Sequence, residues 1–331
     1  MQVSVITPVY NAAGFVSRSV KSALQQPETA EVLLVEDGSP DNAVEVCREL
    51  AATHDRVHVF RHPDGKNHGA GASRNLGMRQ STCEYIAFLD ADDYYLPGRF
   101  STAKEIFEAN PDCDGVYEAV GMHVESEAGL QRWTNAGRSI RRLTTMKRRV
   151  SPGELWEALI DSGKFGYFQL DGLVLKRSVL EKSGRMVEAL RLHQDTEFMM
   201  RLALAGRLLP GGLDVPVAMA RVHDRNRVSA PRTAEQKYRD RMQMWMELYG
   251  WCKQRGRSQV RQRIMDEMVE ATISIGRMGN NSRSALRRRA LRVIQLLRWL
   301  GEHPGLALDP QFRHSISAIS RPQKRGQEAT T

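Results

Sequence analysis

Long apolar runs are missing from this chain of 331 residues: nowhere do 18 uncharged apolar residues follow one another, so no membrane-spanning helix is expected. The opening residues, MQVSVITPVYNAAGF, carry no basic segment leading into a long apolar stretch, and no signal peptide is expected. Cysteine is sparse. The four, at positions 47, 83, 113 and 252, form no CxxC pair, which excludes a zinc knuckle and fits free thiols in a reducing, cytoplasmic compartment. No GxGxxG follows the first apolar run and no GxxxxGK[ST] occurs, so dinucleotide and P-loop sites are excluded. Gly71-Ala72-Ser73-Arg74-Asn75 lacks the last glycine of a nucleophile elbow, which argues against a serine hydrolase. No internal repeat is found.

Acidic residues are scarce in one region only. From Pro231 to Thr331 there are 20 Lys+Arg against 9 Asp+Glu, whereas the first 230 residues hold 28 against 30. The net charge of +9 therefore describes a C-terminal appendage. Basic residues without a recognition motif do not indicate nucleic-acid binding. With 41% apolar and 26% charged residues, the chain reads as globular.

What is present is an alternation of strands and helices. Val3 to Val9, Glu31 to Asp37, Val57 to Phe60 and Tyr85 to Leu89 are β-rich apolar runs. Ala12 to Gln26, Ser39 to about Thr53, and Ser73 to Gln80 have helical spacing. This order predicts an α/β fold with a mainly parallel sheet covered by helices on both faces. Asp114 to Val120 is a further candidate strand. Gln131 to Val150, with seven basic residues and no acidic one, reads as a loop or extension. A short helix is expected over Glu154 to Asp161, a return to the sheet in KFGYFQLDGLVL, and an amphipathic helix over Asp195 to Ala205. After Pro231 the pattern is helical, and the tail from Ser320 is polar.

Ligands of such sheets bind beyond the carboxyl ends of the strands. There the sequence places Tyr10-Asn11, Glu36-Asp37-Gly38-Ser39 and, in FLDADDYY, Asp90, Asp92 and Asp93. Carboxylates crowded in this way repel one another unless a cation or hydrogen-bond donors compensate. Hard divalent ions such as Mg²⁺ or Mn²⁺ take carboxylate ligands and leave positions open for substrate phosphates.

TPVYNAAGF, LLVEDGSPDN, GAGASRNLG and FLDADDYYLPGRF, in this order and spacing, resemble the nucleotide-sugar-binding half of family 2 glycosyltransferases of the GT-A fold. The resemblance is strong over about the first 105 residues and looser to about 230. It implies a GT-A-type Rossmann-like domain with a nucleotide-sugar-binding half (1–105), an acceptor-binding half (106–230) and a basic helical C-terminal region (231–331). By the same resemblance Pro8, Tyr10 and Asp37 hold the base and ribose of the donor, with a UDP-sugar favoured. Arg74 and Asn75 meet phosphate or sugar hydroxyls, Asp90 touches ribose or sugar, and Asp92 binds Mn²⁺ or Mg²⁺. In SGRMVEALRLHQDTEFMMRLALAG, Gly184 matches the family's glycine and Asp195 its general base. Gln194 stands where the family has an acid, and Met186 where it has an aromatic. ARVHDRNRVS resembles the loop over the donor diphosphate, with His223 as a metal ligand and Arg221 or Arg227 near phosphate.

Each of these residues also has an ordinary structural reading. Asp37 suits a turn, Tyr10 packing, Arg74 an ion pair with Asp90 or Asp92, Asp93 a helix cap, Asp195 an N-cap, and His223 a structural contact. The expected activity is inverting transfer of a sugar to an acceptor hydroxyl in envelope polysaccharide or glycoconjugate synthesis, the acceptor being lipid-linked or polymeric. A catalytically silent sugar-nucleotide binder is the alternative. A D-x-D phosphohydrolase is a weaker one, since such enzymes place the pair after the first strand. In RSALRRRALRVIQLLRWL, Leu291, Ile294, Leu297 and Leu300 form one helical stripe and Arg288, Arg292 and Gln295 another, a pattern suited to docking or to peripheral contact at the inner face of a membrane.

Overall fold

The computed structural model describes residues 1–137, 143–226, 232–278, 297, 299–301 and 303–320. The chain divides into two compact units, Met1–Pro231 and Arg232–Thr331.

In the first unit, β1 (Val3–Val9), β2 (Thr29–Glu36), β3 (Val57–Arg61) and β4 (Tyr85–Phe88) run parallel. The connecting helices are α1 (Val16–Leu24), α2 (Ala43–Thr53) and α3 (Ala70–Gln80). β1 is buried along nearly its whole length, as expected for a strand covered on both faces. Of its two buried hydroxyls, Ser4 donates to Glu31 Oε1 at 2.6 Å, and that of Thr7 has no partner among the described residues. α3 lies close on β1 because Gly77 has no side chain: a Cβ there would come within 2.4 Å of Ile6 Cγ2.

The short β5 (Tyr94–Tyr95) leads into α4 (Ser101–Ala109), β6 (Gly115–Tyr117), β7 (Val120–Val124), α5 (Glu127–Asn135) and β8 (Leu143–Thr144). Next come α6 (Leu155–Ile160), α7 (Ser162–Phe165), β9 (Leu173–Lys176), α8 (Val179–Ser183), α9 (Gln194–Ala205), β10 (Leu208–Pro210) and β11 (Ala218–Val222). The main sheet has the order β10-β6-β9-β4-β1-β2-β3 and is parallel except for β9, which runs antiparallel to both neighbours. A second sheet has the order β5-β11-β7-β8.

Two expectations need correction. The run 114–120 is not one strand: it breaks after Tyr117, so that β6 enters the main sheet and β7 the second. The basic stretch 131–150 is not wholly a loop. Its start belongs to α5, which Ser126 caps by accepting from Gly129 N at 3.0 Å, and its later part contains β8.

Strand register positions the site. Val9 pairs with Glu36 and Ile6 with Phe88, so the segments after β1, β2 and β4 emerge on one rim. Beneath it Arg99 and Glu118, both fully buried, pair at 3.1 Å, with Arg99 against the rings of Tyr95 and Phe100. Burial still pushes the Glu118 carboxyl above its usual range despite that partner.

The regular structure among the described residues of the second unit is helical, and includes α10 (Ala234–Gln254), α11 (Ser258–Met278), α12 (Pro304–Ala307) and α13 (Pro310–Ser320). α10 opens on a capping box between Thr233 and Gln236. α11 and α13 are tied where Ser315 Oγ donates to Asp266 and Gln262 Nε2 donates to Ser315 Oγ, each at 2.6 Å. Leu291, Ile294, Arg288, Arg292 and Gln295 lie outside the described residues. Leu297 is exposed and Leu300 half-buried.

Candidate active site

After β1 the chain turns through Asn11, whose φ of +52° is in the left-handed region that asparagine tolerates. The turn is tied to the next one by Asn11 N donating to Ser39 Oγ at 3.2 Å and Ala13 N to Asp41 at 2.9 Å. Pro8 is half-buried in the strand, and Tyr10 is 51% exposed at the rim, with its ring uncommitted to the core. Asp37 behaves differently. Its buried carboxylate accepts from Asn67 Nδ2 at 2.9 Å, His68 N at 2.8 Å and Gly69 N at 2.8 Å. It therefore holds the 67–69 loop and has little acceptor capacity left for a ligand. His62 Nε2 lies 3.6 Å away, and burial lowers the pKa of this imidazole.

Four carboxylates crowd the end of β4. Asp90, Asp92 and Asp93 present oxygens that all lie within 4.8 Å of one another. The fourth, Asp171, comes from the short 3₁₀ turn Leu170–Gly172 before β9 and accepts from Asp90 N at 3.0 Å. The side chains of Asp90 and Asp92 are 42% and 31% exposed, whereas Asp93 and Asp171 are buried. Burial pushes the Asp93 carboxyl well above the usual range, with repulsion from Asp92 and Asp171 adding to it. Burial, then repulsion from Asp90, raises Asp171 to about 7. Asp93 is not a helix cap: its Oδ1 accepts from Arg221 N at 2.7 Å.

The loop after β11 closes on the same turn. His223 Nε2 lies 3.0 Å from Asp92 Oδ2, and His223 Nδ1 accepts from Arg225 N at 3.2 Å. That second bond puts the ring proton on Nε2, which then donates to Asp92 and does not offer a lone pair outward. Arg221, expected near phosphate, is instead buried: Nε donates to the Asp92 carbonyl and Nη1 to Glu125 at 3.3 Å, and the guanidinium lies against Phe15. Arg227 lies outside the described residues.

From α3, Arg74 donates to Asp90 Oδ1, and its buried Nε has no partner among the described residues. Asn75 points elsewhere. Its amide clamps Met186, donating to the carbonyl and accepting from the N–H, both at 2.9 Å, and also reaches Glu188 at 2.9 Å. Both amide protons are thus spent inside the protein, which corrects the expectation that Asn75 meets phosphate or sugar hydroxyls.

On the other side of the clamped segment, Arg201 of α9 donates to the carbonyls of Ser183 and Arg185 and pairs with buried Glu197. α9 begins after His193, in the left-handed conformation at φ +60°. Asp195 sits in its first turn with Oδ1 accepting from Thr196 N at 2.8 Å, and its charge helps hold Arg74 protonated. Gln194 is buried against Gly71 of α3, and its Oε1 has no partner among the described residues.

The donor set suits a hard divalent cation. Two outward carboxylates, Asp90 and Asp92, can supply oxygen ligands and leave room for phosphate oxygens, while buried Asp93 and His223 brace the turn. Asp171, Arg99 and Glu118 escaped sequence reasoning. The available signal for Asp171 was an acid next to an apolar run in FQLDGLVL, the same pattern that marked FLDADD.

Residues 4–165 match the family described as Glycosyl transferase family 2. The chain carries a family 2 glycosyltransferase domain. It is 26% identical over 238 residues to an uncharacterized glycosyltransferase of Haemophilus influenzae, spanning 71% of this chain and 73% of that protein. It is 30% identical over 210 residues to the succinoglycan biosynthesis protein ExoU of Rhizobium meliloti, spanning 62% of this chain and 57% of ExoU. Among solved structures, S. aureus TarS 1-349 in complex with UDP-GlcNAc has a TM-score of 0.55 at 17% identity, covering 96% of this chain and 80% of that one. The mannosyltransferase PcManGT of Pyrobaculum calidifontis, in complex with GDP-Man and Mn²⁺, has a TM-score of 0.51 at 16% identity, covering 96% and 83%. The fold is thus GT-A-like, as the motif order implied.

The buried acid pair makes a prediction about pH. Between the ordinary carboxylate value and about 7, the folded chain holds a proton at Asp171 that the unfolded chain has released, so this contribution to stability is lost as pH rises through about 7. In EDTA, the difference in Tm between wild type and Asp171→Asn is expected to change in the variant's favour from pH 5 to pH 8. His62 acts in the opposite direction but is common to both proteins. A difference independent of pH would show that the acid pair does not titrate in this range.

Proposed function

We propose that this protein is a metal-dependent, inverting glycosyltransferase that moves a sugar from a nucleotide-diphosphate donor to an acceptor hydroxyl in polysaccharide or glycoconjugate synthesis. The observation that carries the reading is the convergence on one rim of two outward carboxylates, Asp90 and Asp92, with Arg74 and, across the clamped segment, Asp195. Tyr10 offers an exposed face for the base, and Asp37 acts chiefly by holding the loop beside it. Both UDP- and GDP-sugars occur in structures of the same fold, so the nucleotide is open to test and a UDP-sugar is the first choice.

Asp90 and Asp92 would hold the cation, Mn²⁺ or Mg²⁺, which neutralises charge on the diphosphate as it departs. His223 steadies Asp92, and Arg74 steadies Asp90. Asp195 takes the proton of the acceptor hydroxyl as that oxygen attacks the anomeric carbon from the face opposite the nucleotide, so the configuration inverts. One observation favours a second reading, a silent sugar-nucleotide binder: neutral Gln194 in place of an acid beside Asp195. Turnover separates the two.

Donor hydrolysis and calorimetry with UDP-, GDP- and dTDP-sugars, with and without Mn²⁺, test the proposal. Asp92→Asn is expected to abolish Mn²⁺-dependent donor binding and leave the fold intact, because an amide is a weaker ligand and repulsion among the acids is relieved. Unchanged affinity would remove Asp92 from the metal site. Asp195→Asn is expected to keep donor affinity and lose transfer by roughly 10²-fold or more. Normal specific activity with a lowered Tm would reduce Asp195 to a helix residue.

Peripheral contact with an anionic membrane is proposed for the second unit. Residues 248–265 contain five basic and no acidic side chains, and at the α10–α11 turn Arg255 lies 4.2 Å over the Trp251 ring with Lys253 and Arg257 nearby. Basic residues beside an amphipathic ring suit a headgroup layer. Salt-sensitive co-sedimentation with phosphatidylserine-containing vesicles is expected, and substitution of Arg255 and Arg257 by serine should weaken it. Absence of pelleting at low salt would end this idea.

A further inference from the structure

Asp171 has no part in the chemistry proposed above, yet it is the most buried of the four carboxylates beside it. β9 is antiparallel to β4, with Tyr85 opposite Lys176, Ile86 opposite Leu175 and Ala87 opposite Val174. Continuing that register puts Asp171 opposite Asp90. A parallel strand in this place would bring its other end to the rim, so the reversed strand is what delivers a carboxylate here.

The turn that carries Asp171 is itself fixed. Gly172 O accepts from Glu118 N at 2.9 Å, and a Cβ on Gly172 would come within 2.3 Å of Glu118 O, so the turn lies flat on the end of β6. From this base Asp171 takes hold of the acidic turn at two points. Its Oδ1 accepts from Asp90 N at 3.0 Å, and its carboxyl hydrogen-bonds that of Asp93. Asp93 in turn accepts from Arg221 N at 2.7 Å, and the Arg221 side chain holds the Asp92 carbonyl. The segment 90–93 is gripped from β9 on one side and β11 on the other, with only the Asp90 and Asp92 side chains turned outward.

We propose that Asp171 is a positioning residue for the cation and diphosphate site, setting the separation of the Asp90 and Asp92 carboxylates through the Asp90 N–H and the Asp93 carboxyl. This rests on the glycosyltransferase reading of the rim. Groups that orient metal ligands in this way typically change metal affinity by roughly 10- to 100-fold when removed.

The test uses the full chain, Mn²⁺ and UDP, with bound Mn²⁺ read from the electron paramagnetic resonance signal of the free ion and Tm measured in parallel. Asp171→Ala removes both hydrogen bonds and is expected to weaken Mn²⁺ uptake in the presence of UDP by about 10-fold or more. Asp171→Asn should restore it to within about threefold, because the amide oxygen can accept from Asp90 N while its N–H donates to Asp93. Wild-type uptake by Asp171→Ala overturns the proposal, and so does equal impairment of the two variants at equal Tm, which would make the charge and not the grip responsible. If wild type takes up no Mn²⁺ with UDP, the glycosyltransferase reading falls and this role falls with it. Wild-type uptake with an unimpaired alanine variant removes only the positioning role.

Discussion

Four carboxylates at the end of one buried strand are the constraint around which the catalytic unit is arranged. Ionised together without compensation, Asp90, Asp92, Asp93 and Asp171 would oppose folding, since each raises the cost of charging its neighbours. The fold divides them into two classes. Asp93 and Asp171 are buried, hydrogen-bonded to one another and shifted toward the protonated form, while Asp90 and Asp92 remain at the surface with Arg74 and His223 as partners. The result is a charged outer pair on a braced inner pair. A cation bound outside would complete the compensation, and the residual repulsion disposes the turn to accept one.

A second clamp sets the other wall of the site. The segment from Ser183 to Glu188 has no regular structure beyond the end of α8, yet it is held from both sides: Asn75 of α3 pairs with the Met186 backbone, and Arg201 of α9 takes the Ser183 and Arg185 carbonyls. Arg201 is itself paired with Glu197, fully buried one turn away, so its guanidinium has little freedom. Through these bonds α3, which brings Arg74 to the rim, and α9, which brings Asp195, share one strip of backbone. Arg191 adds an outer tie by donating to Asn67 Oδ1 at 3.1 Å, in the loop that Asp37 holds.

What could be read from sequence was what is local. β1, β2 and β4 are apolar runs followed at once by their rim residues, so Tyr10, Asp37 and the Asp90–Asp93 cluster were legible as polar groups at strand ends. The partners of these residues were not. Asp171 meets Asp90 across 81 positions, Asn75 meets Met186 across 111, and Arg221 meets Asp93 across 128. No periodicity encodes such pairs. Asn75 was placed with Arg74 at phosphate or sugar hydroxyls by resemblance, although successive helix residues point about 100° apart and the two side chains serve opposite neighbours. The start of 131–150 was misread for a different reason: basic composition suggested a loop, while the local Ser126 cap had already begun a helix.

Gln194 shows how far a departure from the family pattern can be understood physically. An acid here would stand beside Asp195 and three positions from fully buried Glu197, adding a third negative charge to the first turn of α9. The amide keeps the shape and removes the charge. It also leaves a buried acceptor, Oε1, without a partner among the described residues, a deficit worth about 1–3 kcal/mol. The amide thus exchanges electrostatic support of the neighbouring carboxylate for an uncharged side chain packed on α3, which is why turnover, and not the fold, separates an active enzyme from a silent binder.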